Sequence, residues 1–186
     1  NTASKELLLS LLEKKNIPQA EELVHNLCAW RGDSIDNIPD YSERGYTNKS
    51  ERFTTLEELM LVKGMNQELY NLLKDSITIF GSGKLNINTA PAETLEILIT
   101  SCLKRLAEQG YPLADQDLAN KIITLRNSGV AFEDIPSLKV KISDMKTLTD
   151  TEIAILNLFE GGGDTEAGTQ STCFSITSDG TIQKVH

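Results

Sequence analysis

One phrase occurs twice in this chain, and no other feature constrains its fold as much. Asn1-Thr2-Ala3 returns as Asn88-Thr89-Ala90, each time ahead of an apolar run at helical spacing. The first run is Leu7, Leu8, Leu11 and Leu12; the second is Leu95, Leu98 and Ile99. Thr2 and Thr89 fit as N-caps, because a hydroxyl there can take up an unpaired amide of the first turn. Pro91, with no N–H to leave unpaired, fits the first turn itself. A second helix is expected in each copy. One covers about 18–30, with Leu23, Leu27 and Trp30 on one stripe; the other covers about 115–126, with Leu118, Ile122 and Leu125. Both end on an apolar residue and an arginine, Trp30-Arg31 and Leu125-Arg126, shortly before Gly32 and Gly129.

The parallel continues. Phe53, Leu56 and Leu59 match Phe132, Ile135 and Leu138 in spacing, and both triplets read as core. Thr54 with Glu57 has the form of a capping box, each side chain satisfying an amide of the other's turn. Asn66 is placed to cap a helix over 67–73, with Met65 and Tyr70 as its hydrophobic staple. Thr149 and Glu152 form a capping box further on, with Leu148 and Ile153 as the staple. The chain therefore reads as a tandem helical repeat. From Arg31 to Phe53 is 22 positions, whereas Arg126 to Phe132 is 6, so the first copy carries 16 extra residues within 32–52. An insertion at one joint adds nothing to a shared core, and such loops are where function is placed.

Two stretches outside the helices look β-like. Ser76 to Phe80 precedes a Gly81-Ser82-Gly83 turn, with Leu85 to Ile87 beyond it. Near the other end, Gly161-Gly162-Gly163 leads to Thr172–Thr177, then an Asp179-Gly180 turn signal and Thr181–Val185, which together spell a β-hairpin. A lone hairpin is marginal in water, so this one is expected to dock or to join a larger sheet. The expected division is residues 1–80 for the first repeat with its acidic insertion 32–52, 81–160 for the second repeat, and 161–186 for linker and hairpin.

Composition narrows the function. With 39% hydrophobic residues the chain suits a folded globular protein, and it lacks the ~18 consecutive apolar residues of a membrane span. It opens on Asn1 with no signal peptide, which reads as an edge with targeting or anchoring segments ahead of it. A net charge of −9, from 27 acidic and 18 basic residues, works against nucleic-acid binding. Cys28, Cys102 and Cys173 have no metal-ligand spacing, and the first two, set in apolar helical phrases, read as buried thiols. His25 and His186 are far apart, and no serine or cysteine sits in a nucleophile motif. Glu21-Glu22 and Glu57-Glu58 read as solvated helix faces, and Trp30 as core. No active site is expected, and a non-enzymatic role follows.

The order Trp30, acidic loop, Tyr46, Phe53-x-x-Leu56-x-Glu58-Leu59-x-Leu61-Val62-x-Gly64-Met65, Tyr70, Leu73 and then Ile87-Asn88-Thr89-Ala90 resembles the minor pseudopilin K family of type II secretion (general secretion pathway protein K, GspK). The resemblance covers nearly the whole chain and is most specific from Trp30 to Leu98. It implies a mainly α fold of two sterile-alpha-motif-like or helix-hairpin-helix-like repeats inserted in a pilin-like small antiparallel sheet, truncated here. Asn1 would lie just after a first strand, Thr172–Val185 would return to the sheet, and a processed inner-membrane anchor helix would lie ahead of Asn1. It further implies a structural subunit at the tip of the periplasmic pseudopilus of a Gram-negative cell, where the helical domain blocks further addition. The implied partners are the minor pseudopilins GspI and GspJ, with exported substrates or the outer-membrane secretin beyond them.

Asp33, Asp36, Asp40 and Glu43 crowd the insertion. Hard cations such as calcium take six to eight oxygens in irregular geometry, which carboxylates along a loop can supply. Members of the resembled family are associated with calcium there, although this chain has Arg31-Gly32-Asp33 where an Asp-x-Asp spacing is common. A calcium loop and a solvated acidic loop both stand as readings. A second functional class also stands, the helix-hairpin-helix DNA-binding module of competence-protein type (ComEA). Its hairpins hold phosphate on backbone amides near glycines, whereas here the candidates read Leu61-Val62-Lys63-Gly64-Met65-Asn66 and Val140-Lys141-Ile142-Ser143.

Overall fold

The computed structural model describes residues 2–33, 36–81, 83–112, 117–160 and 167–171. The described chain is mainly helical. Its α-helices are α1 (Lys5–Lys14), α2 (Ala20–Trp30), α3 (Gln67–Leu73), α4 (Ala92–Glu108), α5 (Leu118–Asn127), α6 (Ile135–Met145) and α7 (Asp150–Glu160). Short 3-10 turns occupy Ser42–Arg44 and Leu56–Leu61. Two short strands, β1 (Leu85–Asn86) and β2 (Ala167–Gly168), pair in parallel with Leu85 opposite Ala167 and Asn86 opposite Gly168. The sheet expected to be antiparallel is thus parallel where it is described. The expected hairpin at 172–185, the glycines 161–163, Cys173 and His186 lie outside the described residues.

Apolar periodicity places the helices correctly because burial, rather than local propensity, decides them. Leu23, Leu27 and Trp30 are buried on α2, and Leu118, Ile122 and Leu125 on α5. The 17-residue α4 buries a stripe of Leu95, Leu98, Ile99, Cys102 and Leu106. These apolar groups form two clusters. One draws on residues from Leu11 to Leu73 and also takes Ile97 from α4. The other runs from Ile87 to Phe159 and takes Ala167 from β2. Leu7 packs against both. The seam between them is α1 on α4, the most extensive helix pair in the fold. Lys14 to Glu96 (2.9 Å), Lys15 to Glu93 (3.2 Å) and Lys104 to Glu13 cross that seam in water, where each contributes little.

Helix starts depart from expectation at two places. Ser4, not Thr2, caps α1, accepting from the Leu7 amide at 3.1 Å. Thr89 is no cap either. Its amide and that of Ala90 both donate to the Asn86 carbonyl (3.1 and 2.8 Å), so it lies in the turn leaving β1, and Pro91 takes the cap position without a side-chain bond. The later caps are as expected. Asn66 accepts from the Leu69 amide at 2.9 Å. Thr149 and Glu152 satisfy each other's amides at 2.9 and 3.2 Å. Cys28 and Cys102 are buried, and burial pushes the Cys28 thiol above its ordinary value. Ser76–Phe80, expected as a strand, is not one: Ser76 lies in a turn and Ile79 in a bend.

Glu152 also meets Lys121. The ammonium donates to both carboxylate oxygens at 2.7 Å and to the Thr147 carbonyl at 3.2 Å, and both side chains are buried. Removing one partner of such a pair leaves an uncompensated buried charge. Lys121→Met is expected to destabilise the protein by roughly 3–5 kcal/mol in urea unfolding. Adding Glu152→Gln, which keeps an acceptor for the Thr149 amide, is expected to recover part of that loss.

Candidate functional site: the acidic insertion

The insertion 32–52 does not float. Its two ends meet, because the Glu51 amide donates to the Trp30 carbonyl at 3.2 Å, at the end of α2. Gly32 makes that closure possible. It has φ +85°, and a β-carbon there would lie 2.6 Å from the Ser50 carbonyl oxygen, so neither the conformation nor the space admits a side chain.

Between those ends the segment is held by aromatic rings. Trp30, 3% exposed, meets Tyr41 edge-on at 5.3 Å between centroids and Tyr46 edge-on at 6.0 Å. Tyr41 and Tyr46 stack on each other at 5.5 Å. Pairs in these geometries contribute about 0.5–1.5 kcal/mol beyond their burial. Each tyrosine also carries a polar tie: the Lys63 amide donates to the Tyr41 hydroxyl at 3.1 Å, and the Tyr46 hydroxyl donates to the Leu61 carbonyl at 2.7 Å. Burial pushes the Tyr41 hydroxyl above its ordinary pKa. Asn48 donates to the Ala29 carbonyl at 2.8 Å, and His25 Nε2 bonds to the Asn37 carbonyl at 3.0 Å. His25 therefore ties α2 to the insertion. Trp30 is core, as its stripe implied. The roles of Tyr41 and His25 were missed, and the one available signal was a pair of tyrosines inside an otherwise polar insertion.

The four carboxylates singled out from sequence are exposed and have different surroundings. Asp33 pairs with Arg31, whose guanidinium also donates to the Ala3 carbonyl at 2.6 Å. Asp40 accepts from the amide and the hydroxyl of Ser42 at 2.9 and 3.0 Å, and these bonds hold its carboxyl below its ordinary value. Glu43 sits in the Ser42–Arg44 turn, and Asp36 lies earlier in the loop. Among the described residues, no three acidic, histidine or cysteine side chains come together as an ion-binding group.

Glu58 is not the solvated carboxylate expected of a Glu57-Glu58 pair, and the capping box expected of Thr54 with Glu57 does not form: the cap of the Leu56–Leu61 turn is Thr55, without a side-chain bond, and the partner of Thr54 is Glu58. It takes both the amide (3.2 Å) and the hydroxyl of Thr54, while Lys49 of the insertion donates to both its oxygens at 2.8 and 2.9 Å. Glu58 thus ties the residue ahead of the Leu56–Leu61 turn to Lys49 of the insertion.

The second half of the chain has a corresponding joint without an insertion. Arg126 donates to the carbonyls of Ile87 (3.0 Å) and Ala90 (2.6 Å). Asn88 accepts from the Phe132 amide at 2.8 Å and donates to the carbonyls of Phe132 and Thr169 at 2.8 and 3.0 Å. Comparison with family models, with curated proteins and with solved structures gave no match.

Burial raises the pKa of Glu58, and the bonds from Lys49 and Thr54 outweigh it, leaving the carboxyl below its ordinary 4.5. A depressed carboxyl adds stability above its unfolded pKa, and that stability is lost as pH falls through the folded value. Glu58→Gln is therefore expected to be less stable than the parent at about pH 7, with the gap narrowing below 4.5. Urea unfolding across that pH range measures it.

Proposed function

We propose that this protein is a non-enzymatic minor pseudopilin of the GspK kind, a periplasmic tip subunit of the type II secretion pseudopilus built on two tandem helical units. The observation that carries the reading is a repeated bond. Arg31 donates to the carbonyl of Ala3, and Arg126 donates to the carbonyl of Ala90, the same residue of each Asn-Thr-Ala phrase. Each arginine thus ties the end of its second helix to the start of its first. The division of the buried residues into two clusters, and the packing of α1 on α4, the first helix of each unit, support the same reading. The resemblance supplies the pseudopilin identity, and the ring-anchored acidic insertion at one joint is the feature that sets the first unit apart. No helix among the described residues is long and apolar enough to cross a membrane. The inner-membrane anchor is part of the proposal.

A tip subunit should bind other minor pseudopilins and not DNA. Mixed with GspI and GspJ of the same cell, the protein is expected to sediment as a ternary complex in analytical ultracentrifugation. It should show no salt-sensitive shift of duplex DNA. Binding to DNA that weakens steeply with salt, together with no complex, would replace this reading by the competence-type module.

Calcium belongs to the same proposal. The residues that would hold it are Asp33, Asp36, Asp40 and Glu43, and Asp33 would have to exchange Arg31 for the cation. Trp30 is the only tryptophan and touches two insertion tyrosines, so its fluorescence reports on the loop. Calcium is expected to change that fluorescence and raise the melting temperature relative to chelator, with a smaller rise in Asp36→Ala. A flat response in the parent protein would leave the insertion a solvated acidic loop.

A further inference from the structure

Arg31 ends α2 with its guanidinium turned inward, and the residue is only 9% exposed. Its partners are of two kinds. One is the carboxylate of Asp33 in the insertion, and the other is the carbonyl of Ala3, 2.6 Å from Nη2. Asp33 is itself fixed, because its amide donates to the Cys28 carbonyl at 2.9 Å. Its side chain is nevertheless 47% exposed, so the charge that balances the buried guanidinium can be reached from solvent.

The second half of the chain makes the same tie without a carboxylate. Arg126 is half-buried and donates to the carbonyls of Ile87 and Ala90, and among the described residues it has no acidic partner. A half-buried guanidinium keeps part of its water, so two carbonyls suffice. Arg31 has no such access. With Asp33 withdrawn it would be a buried charge facing only dipoles, and that cost exceeds what one hydrogen bond to a carbonyl returns. The side chain would then swing out to water and let go of Ala3. The next residue is Ser4, which caps α1: its hydroxyl accepts from the Leu7 amide and its carbonyl from the Leu8 amide, both at 3.1 Å. Leu7 in turn packs against both apolar clusters.

We propose that Arg31 couples the insertion to the head of α1, so that the cap at Ser4 is held only while Asp33 stays paired with Arg31. Anything that draws Asp33 away loosens the first turn of α1, and anything that displaces that turn makes Asp33 easier to draw away. The device belongs to the first unit, since Arg126 makes its tie with no paired charge to lose. This inference is independent of the pseudopilin reading.

Hydrogen exchange on the full chain, read as a double-mutant cycle, tests it. In Asp33→Asn the Leu7 and Leu8 amides are expected to exchange at least about tenfold faster than in the parent, with those of α5 to α7 unchanged. On an Arg31→Met background, where the tie is already lost, adding Asp33→Asn is expected to change nothing further. Equal exchange in Asp33→Asn and the parent overturns the proposal. So does an acceleration that persists on the Arg31→Met background, or one spread equally over the chain. Should Asp33→Asn fail to fold, Arg31→Met alone decides the matter. Faster exchange of Leu7 and Leu8 there supports the tie, and exchange equal to the parent's overturns it.

Discussion

The packing of α1 on α4 is the constraint on which the rest depends. Each of the two apolar clusters is small, and a small core is hard to stabilise because too much of its surface faces water. The seam joins them: Ile97 crosses into the first cluster from a helix whose main stripe serves the second, and Leu7 touches both. Fully burying one such aliphatic side chain is worth about 1.5–3 kcal/mol, comparable with a large share of a domain's net stability. The surface ion pairs along the seam are secondary. Ser10 on α1 and Ser101 on α4 are buried with hydroxyls that find no partner among the described residues, so this is also where the fold tolerates a polar cost.

Beyond the seam, the fold depends on side chains that finish what backbone bonding leaves open. Arg31 and Arg126 hold carbonyls just ahead of the first helix of each half, which helix geometry does not satisfy. Asn88 serves the Phe132 amide and two carbonyls at once, fastening the turn after β1 to the segments on either side of it. Thr169 adds a bond to the Glu133 carbonyl at 2.8 Å, so β2, though two residues long, is fixed at several points. Two strands that short would not persist on ladder bonds alone.

Much of the helical frame was legible in the sequence, because apolar spacing and caps are local codes. Asn66, Thr149 and Glu152 act as read, and the stripes on α2 and α5 bury as read. The failures come from tertiary detail. Thr2 and Thr89 had the chemistry of caps, but Ser4 and the turn after β1 held the positions. The box expected of Thr54 with Glu57 does not form, because Thr55 holds the cap position and Thr54 bonds Glu58. The parallel pairing of β1 with β2 joins residues some eighty positions apart, and nothing in either dipeptide announces its partner. In the insertion, acidic residues drew attention by type, while the groups that position the loop are Trp30, Tyr41 and Tyr46, which carry no charge and reveal their roles only by meeting.

The closure of the insertion has a structural consequence. Trp30 and Glu51 are joined across one backbone hydrogen bond, so the loop departs from and returns to nearly the same point of the frame. Closure at one point leaves the length of the segment weakly constrained, since each doubling of a flexible loop costs only about 0.6 kcal/mol. The joint after α2 is therefore a socket: the helical frame could accept a longer, shorter or chemically different loop there while α1, α2 and α4 kept their places. Function can vary at this position as long as the replacement fills the place that Tyr41 takes in the first cluster.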